Sequence, residues 1–328
     1  MQTTAFLGVA HIHTPGFIST INKRSDVACK LVYDHEADRA EARAAQLEAK
    51  VATIEEICAD PEITSVVICS ETARHLPLIE AAAQAGKHIF AEKPLATTGE
   101  DAVKMQKLIE KAGVTFQTGF FMRSAPQTQF LKREVAAGNL GDITRMRHTN
   151  CHSGALGGWF DKDWHWIADP KEAGGGGFAD LGAHSLDIIL YVLRPVCGKV
   201  TRTLGMIGTQ TKRYGEIDEY GAGLLHFESG AIADVAASWV DAKLHAPIEI
   251  HGTKGQIIVT DGKVLYYSDV TGAKGEEVTD LPPAAPHAFE LFWDKLEGKD
   301  LAVPLVGVDE AAEESAVMAD LYKSANSK

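Results

Sequence analysis

Cysteine is scarce in this chain: there are five in 328 residues, Cys29, Cys58, Cys69, Cys151 and Cys197, and no Cys-x-x-Cys pair. Scattered thiols in odd number exclude a disulfide framework and a zinc ribbon, and they suit a reducing compartment. Basic residues are also short, with 32 Lys+Arg against 45 Asp+Glu, a formal net charge of −13. That balance lacks the footprint a phosphate backbone requires, so nucleic acid is not an expected partner. No apolar run approaches the ~20 residues of a membrane span, so no membrane partner is expected. Residues 1–10 carry neither the basic region nor the cleavage site of a secretory signal, and the expectation is a cytoplasmic protein. Hydrophobic residues at 45% and charged residues at 23% rule out wholesale disorder. The length suggests two domains.

What is present alternates. Residues 4–10, 28–33, 66–69 and 88–91 are short apolar runs, read as strands. Between them residues 14–23, 36–48, 76–85 and 99–112 read as helices, with Thr14 as N-cap before Pro15 and with Gly86 and Gly113 as C-caps. This alternation predicts right-handed βαβ units and a parallel sheet, an α/β domain over residues 1–121. After residue 121 come a helix over 126–137, a Trp/Gly-rich stretch over 152–177 and a helix over 179–193 that stops before Pro195. Turn signals at 228–230, 252–255 and 261–262 then punctuate long strands, and helices return at 287–296 and 309–325. Residues 122–328 thus read as an α+β domain with an antiparallel sheet. Its C-terminal helix is free to pack back on the first domain. Residues 276–328 carry 4 basic and 12 acidic groups, a solvated exterior.

The first strand leads into Gly8-Val9-Ala10-His11-Ile12-His13. In the common G-x-G-x-x-G loop, glycines let backbone approach a pyrophosphate at a helix N-terminus. Here only the first glycine is kept; Ala10 is small and His13 is not. Asp34 closes the second strand, where a carboxylate bonds ribose hydroxyls and repels a 2′-phosphate, favouring NAD over NADP. The pair His11/His13 admits another reading, the opening ligands of a metal-dependent hydrolase completed by His75, His88 or Asp180.

Two stretches carry candidate chemistry. Glu92-Lys93-Pro94 ends a buried strand, where Glu92 can anchor the turn and Lys93 can hold a substrate oxygen. A surface lysine before a turn is the bland alternative. On the helix after Gly174-Gly175-Gly176-Gly177, Asp180, His184 and Asp187 fall on one stripe, so a histidine base gains a carboxylate one turn away. A capping network would use the same residues.

Taken with Gly86-Lys87-His88, Gly119-Phe120-Phe121-Met122-Arg123, Gly138-Asn139-Leu140-Gly141 and residues 249–255, these motifs resemble the Gfo/Idh/MocA oxidoreductases over nearly the whole length. The resemblance implies a Rossmann domain, an α+β domain with a large open, mainly antiparallel sheet for substrate binding and oligomerisation, and hydride transfer between NAD(P) and a hydroxyl carbon of a sugar, glycoside or cyclic polyol. It implies Lys93, Asp180 and His184 as the catalytic set, with His184 as base and Lys93 on the same oxygen. It implies cofactor contacts from the Gly8–His13 loop, Asp34, Glu92, Lys93 and Arg123, with Ser70, Glu71, Thr72 and His75 covering the nicotinamide ribose, and often a cis bond before the matching proline. Arg123 also matches a position near substrate. Ala10, His13 and Glu71 depart from the family's pattern. Trp159, Trp164 and His165 are candidate substrate contacts; together with Trp166 they equally suit a hydrophobic plug holding a long loop. No metal is expected on this reading, and a homodimer or homotetramer is, because an open sheet needs covering. A non-catalytic NAD-binding sensor is the competing class.

Overall fold

Short apolar strands alternating with helices build a parallel sheet in the computed structural model, which describes residues 1–327. The strands are β1 (Gln2–Val9), β2 (Val27–Tyr33), β3 (Lys50–Val51), β4 (Ser65–Cys69), β5 (His88–Ala91) and β6 (Phe116–Thr118). They stand in the order β3-β2-β1-β4-β5-β6, every pair parallel. That order reverses direction between β1 and β4, the point where such sheets open a ligand crevice at their carboxyl ends. Helices α1 (Thr14–Lys23), α2 (Ala37–Gln46), α3 (Ile54–Ala59), α4 (His75–Gln84) and α5 (Gly99–Ala112) connect them. Helix α5 shows the local logic. The Thr98 side chain accepts the Asp101 amide at its start, Ala102, Met105 and Ile109 bury one face, and Gly113 closes it at φ +65°. Burying Met105 and Ile109 contributes roughly 1.5–3 kcal/mol each. Helix α1 corrects one expectation: His13 holds the cap position, and Thr14 is already the first helical residue.

The chain continues through α6 (Pro126–Ala136), β7 (Ile143–Cys151), α7 (Pro170–Ala173) and α8 (Gly177–Cys197). Strands β8 (Val200–Gly208), β9 (Tyr220–Phe227), β10 (Ile232–Ser238), β11 (Ile248–Gly252), β12 (Gly255–Thr260), β13 (Lys263–Ser268) and β14 (Lys274–Glu277) follow, then α9 (Ala288–Leu296) and α10 (Val308–Ala325). The second sheet runs β14-β13-β12-β11-β7-β10-β9-β8, antiparallel except for the parallel pair β7–β10. Helix α8 packs across β7, β9 and β10. Strand β9 alternates exposed and buried residues, so one face of the sheet meets the helix and the other is open.

Two compact units result. The first comprises residues 1–120, 160–174 and 286–316, the second residues 121–159, 175–285 and those from 317 onward. The sequence suggests one boundary near residue 122, but two later segments belong with the nucleotide-type sheet. The reason is apolar. Helix α9 sends Phe289, Phe292 and Trp293 into the core of Phe6, Phe17 and Phe90, with Phe17 and Phe289 stacked at 4.2 Å. Val308, Ala311 and Ala312 complete the other core, around Val66, Ile68 and Ile89. No helix among the described residues is long and apolar enough to cross a membrane.

Candidate active site

In the first unit, the turn after β1 demands its one glycine. Gly8 has φ +88°, and a Cβ there would lie 2.4 Å from the Ser70 Cβ, so no other residue fits beside β4. Ala10 is buried and its carbonyl accepts the Trp166 indole N–H at 3.1 Å; the Trp166 ring lies 5.8 Å from the His11 ring. The Asp34 carboxylate clamps the same loop, accepting the Val9 amide at 2.7 Å, the Glu36 amide at 2.9 Å and Arg39 Nη2 at 2.7 Å. Helix α1 begins at His13 without a side-chain cap, the kind of terminus that accepts a phosphate. Ser70, Glu71 and Thr72 are buried just beyond β4, and the Ser70 hydroxyl donates to the Glu71 carbonyl at 3.1 Å.

At the end of β5, Glu92 and Lys93 are both buried, and the Lys93–Pro94 peptide is cis. Glu92 Oε2 accepts the Lys93 amide at 2.9 Å, while Oε1 pairs with His13 Nδ1 at 3.0 Å. Burial alone would push this carboxyl up, but His11 and His13 outweigh it and hold Glu92 well below the usual carboxylate range. Glu92 thereby ties the strand end to the position where His13 replaces a glycine. His11, His13 and Glu92 bring one donor atom each within 4.8 Å of one another. The further ligands a metal-hydrolase reading requires do not join them in this unit. His75 pairs with the Leu95 carbonyl at 3.0 Å, and His88 accepts the Thr115 amide at 3.0 Å. Desolvation lowers the pKa of both imidazoles.

In the second unit, the glycine run opens α8. A Cβ on Gly176 would lie 1.9 Å from the Asp218 carbonyl oxygen, and one on Gly177 2.3 Å from that of Glu219. The Asp218 carboxylate caps the helix, accepting the Gly176 and Phe178 amides at 2.9 Å each. Asp180 and His184 follow one turn apart. Asp180 Oδ2 accepts the Trp239 indole N–H at 2.9 Å, and the buried His184 ring meets Phe121 edge-on at 5.1 Å. The third member of the stripe, Asp187, is occupied differently. It takes Arg123 Nε at 3.0 and 3.1 Å and Nη2 at 2.6 Å, with both side chains at most 4% exposed. Arg123 also lies over the Tyr191 ring at 4.5 Å. One edge of the guanidinium expected at cofactor and substrate is thus committed to a buried ion pair.

The tryptophan stretch is divided. Trp159, 47% exposed, lies in the second unit against His152 at 4.8 Å. Trp164 and His165 belong to the first unit, where His165 Nδ1 pairs with the Phe160 carbonyl at 3.1 Å. Trp166 is the tryptophan that reaches the nucleotide loop. Nothing in its spacing from Ala10, 156 residues away, could single it out.

Two family models match this chain: "Oxidoreductase family, NAD-binding Rossmann fold" over residues 3–120 and "GFO/IDH/MocA C-terminal domain" over residues 128–258. The chain belongs to the GFO/IDH/MocA oxidoreductase family. Among its relatives is scyllo-inositol 2-dehydrogenase (NAD(+)) of Bacillus subtilis (strain 168), 30% identical over 246 residues, 74% of this chain and 68% of that one. Another is 1,5-anhydro-D-fructose reductase of Ensifer adhaerens, 29% identical over 258 residues, 76% of this chain and 74% of that one. Levoglucosan dehydrogenase, solved with NADH and levoglucosan, superposes with a TM-score of 0.79 at 20% identity, covering 99% of this chain and 97% of that one. The inositol dehydrogenase homolog of Azotobacter vinelandii, solved with NAD+, gives 0.82 at 17% identity, covering 99% and 95%.

The residues present fit the family's dinucleotide. Strand order, the positive-φ Gly8 pressed against Ser70, and the uncapped α1 terminus suit a phosphate at this turn, with Ala10 and His13 in place of the other glycines. This GFO/IDH/MocA chain is an NAD-binding oxidoreductase, and the metal-hydrolase reading of His11 and His13 falls.

Proposed function

We propose that this chain moves a hydride between NAD and a hydroxyl-bearing carbon of a sugar, glycoside or cyclic polyol. What supports the reading is a buried Lys93 at the carboxyl end of β5 in the first unit and, in the second, Asp180 and His184 on successive turns of α8. In the oxidative direction the hydroxyl proton passes to the His184 imidazole. Lys93 holds the same oxygen and stabilises the charge that develops on it. Asp180, oriented by Trp239, positions substrate or the imidazole. NAD supplies the acceptor for the two-electron hydride. Gly8, Ala10, His11, His13, Ser70, Thr72, His75 and Glu92 would hold it, with Asp34 at the end of β2 on the adenosine side. Trp159, Trp164 and His165 are assigned to the substrate side, as is Arg123. The relatives named for scyllo-inositol and 1,5-anhydro-D-fructose support the substrate class. Residues 1–121 are assigned to the cofactor and 122–328 to substrate and assembly, although segments 160–174 and 286–316 belong to the same compact unit as the first.

The same reading makes the chain a cytoplasmic homodimer or homotetramer. All five cysteines are free thiols. On the open face of the second sheet, Leu204, Met206, Leu224 and Ile232 are 42–75% exposed, an apolar surface that a second copy would cover. Light scattering on the purified chain tests this part, and a monomer at micromolar concentration removes it. The catalytic reading is tested by screening inositols, sugars and glycosides with NAD+ for absorbance of reduced cofactor. Turnover that disappears in Lys93→Ala and in His184→Ala supports it. NADH binding without turnover on any polyol favours the sensor.

A further inference from the structure

A dinucleotide site ordinarily turns its strand-end carboxylate toward the adenosine ribose. In this chain Asp34 is largely spent on protein, with three hydrogen bonds and a side chain that has no exposed surface. Across Arg39 from it lies Glu71, a carboxylate 5% exposed, which this shared contact sets beside Asp34. Glu71 Oε1 accepts the same Arg39 Nη2 at 2.8 Å. Its Oε2 is buried without a hydrogen bond, with Arg74 Nε at 3.5 Å and His35 Nδ1 at 3.7 Å. One guanidinium nitrogen is therefore shared between two buried carboxylates from the ends of β2 and β4.

A guanidinium near this strand end is the group that accommodates a ribose 2′-phosphate, through planar charge-assisted hydrogen bonds. We propose that Glu71 is a cofactor-discriminating residue, which acts by holding Arg39 on the two carboxylates so that the guanidinium cannot serve a 2′-phosphate. The ligand class selected is a dinucleotide whose adenosine ribose keeps its free 2′-hydroxyl. The unbonded Glu71 oxygen is an acceptor for such a hydroxyl once the His35 or Arg74 side chain turns aside. Asp34 then serves chiefly as a clamp on the Gly8 loop, and the second carboxylate makes the discrimination. This inference rests on the assignment of this strand end to the adenosine side of the cofactor.

The test is binding rather than turnover. NADH and NADPH dissociation constants are measured by fluorescence titration on the full chain, for wild type, Glu71→Gln, Glu71→Ser and the double variant Glu71→Gln/Arg39→Ala. The expected result is a wild-type preference for NADH that narrows at least tenfold in both single variants, chiefly through tighter NADPH binding. The double variant should lose that gain, because the freed guanidinium is gone. A folded Glu71→Gln protein that binds NADH with the wild-type NADH/NADPH ratio overturns the proposal, as does equal weakening of both cofactors. If circular dichroism shows both single variants unfolded, the pair is architectural and the inference is likewise overturned. A wild-type chain that binds neither dinucleotide would instead sink the assignment of the cofactor site itself.

Discussion

The Arg123–Asp187 pair offers a measurement that separates architecture from ligand contact. Replacing Asp187 by Ala leaves a guanidinium whose side chain is 4% exposed without the carboxylate that meets it at 2.6–3.1 Å. Removing one partner of a buried ion pair costs about 3–5 kcal/mol, because the remaining charge stays desolvated. A hydrophobic pair of similar volume is far cheaper, since neither charge then has to be buried. Asp187→Ala should therefore lower unfolding free energy by about 3–5 kcal/mol in urea. The double variant Arg123→Met/Asp187→Leu should recover most of that loss, the Met side chain remaining against the Tyr191 ring. Tryptophan fluorescence and circular dichroism followed together would read the transition of the full chain. A destabilisation below about 1 kcal/mol, the range of exposed ion pairs, would refute the reasoning. Arg123 would then be held loosely enough to act mainly on a ligand.

Three further outcomes follow from single contacts. Gly8→Ala places a Cβ 2.4 Å from the Ser70 Cβ at φ +88°, so NADH affinity measured by titration should fall at least tenfold; unchanged affinity would show that β1 and β4 part without consequence. His148 is fully buried on β7, and desolvation lowers its pKa to about 4. The unfolded chain binds that proton first, so stability is complete above about pH 6.5 and is lost as pH falls towards 4, by roughly 3 kcal/mol. Chemical denaturation at several pH values should show a shallower acid slope in His148→Gln, and identical slopes would contradict the assignment. Trp166→Phe removes the bond to the Ala10 carbonyl and should weaken NADH binding several-fold without altering the sheet, as judged by far-ultraviolet circular dichroism.

Much of the first unit was legible because its signals are local. Strand β5 and helix α5 match their apolar runs, and Gly113 ends α5 as its position requires. Elements too short for a periodic signal were not legible. Strand β3 is a two-residue exposed edge, and α3 is six residues long, although its Thr53/Glu56 capping box stood in the sequence. Helix α8 departs at both ends for non-local reasons. Its start is moved forward to Gly177 by the Asp218 carboxylate, 40 residues away from Phe178. Its end passes Pro195, which cannot supply the amide that would bond the Tyr191 carbonyl; the Lys132 ammonium donates to that oxygen instead.

The candidate site was legible in the same uneven way. Motif order pointed to Lys93, Asp180 and His184, and the stripe on α8 could be drawn from helical geometry alone. That geometry could not tell which members of the stripe were already taken, and Asp187 pairs with Arg123 from 64 residues earlier. The acidic environment of Arg39, the capping by Asp218 and the reach of Trp166 all join distant parts of the chain.

Hydride transfer itself can be followed by isotope. The chain is incubated with NAD+ and a polyol drawn from the screen, deuterated at the carbon that bears the reacting hydroxyl, and the reduced cofactor is examined by mass spectrometry. The account predicts one deuterium in each NADH formed, with none in Lys93→Ala or His184→Ala because neither turns over. NADH that carries only protium from the deuterated substrate would contradict it.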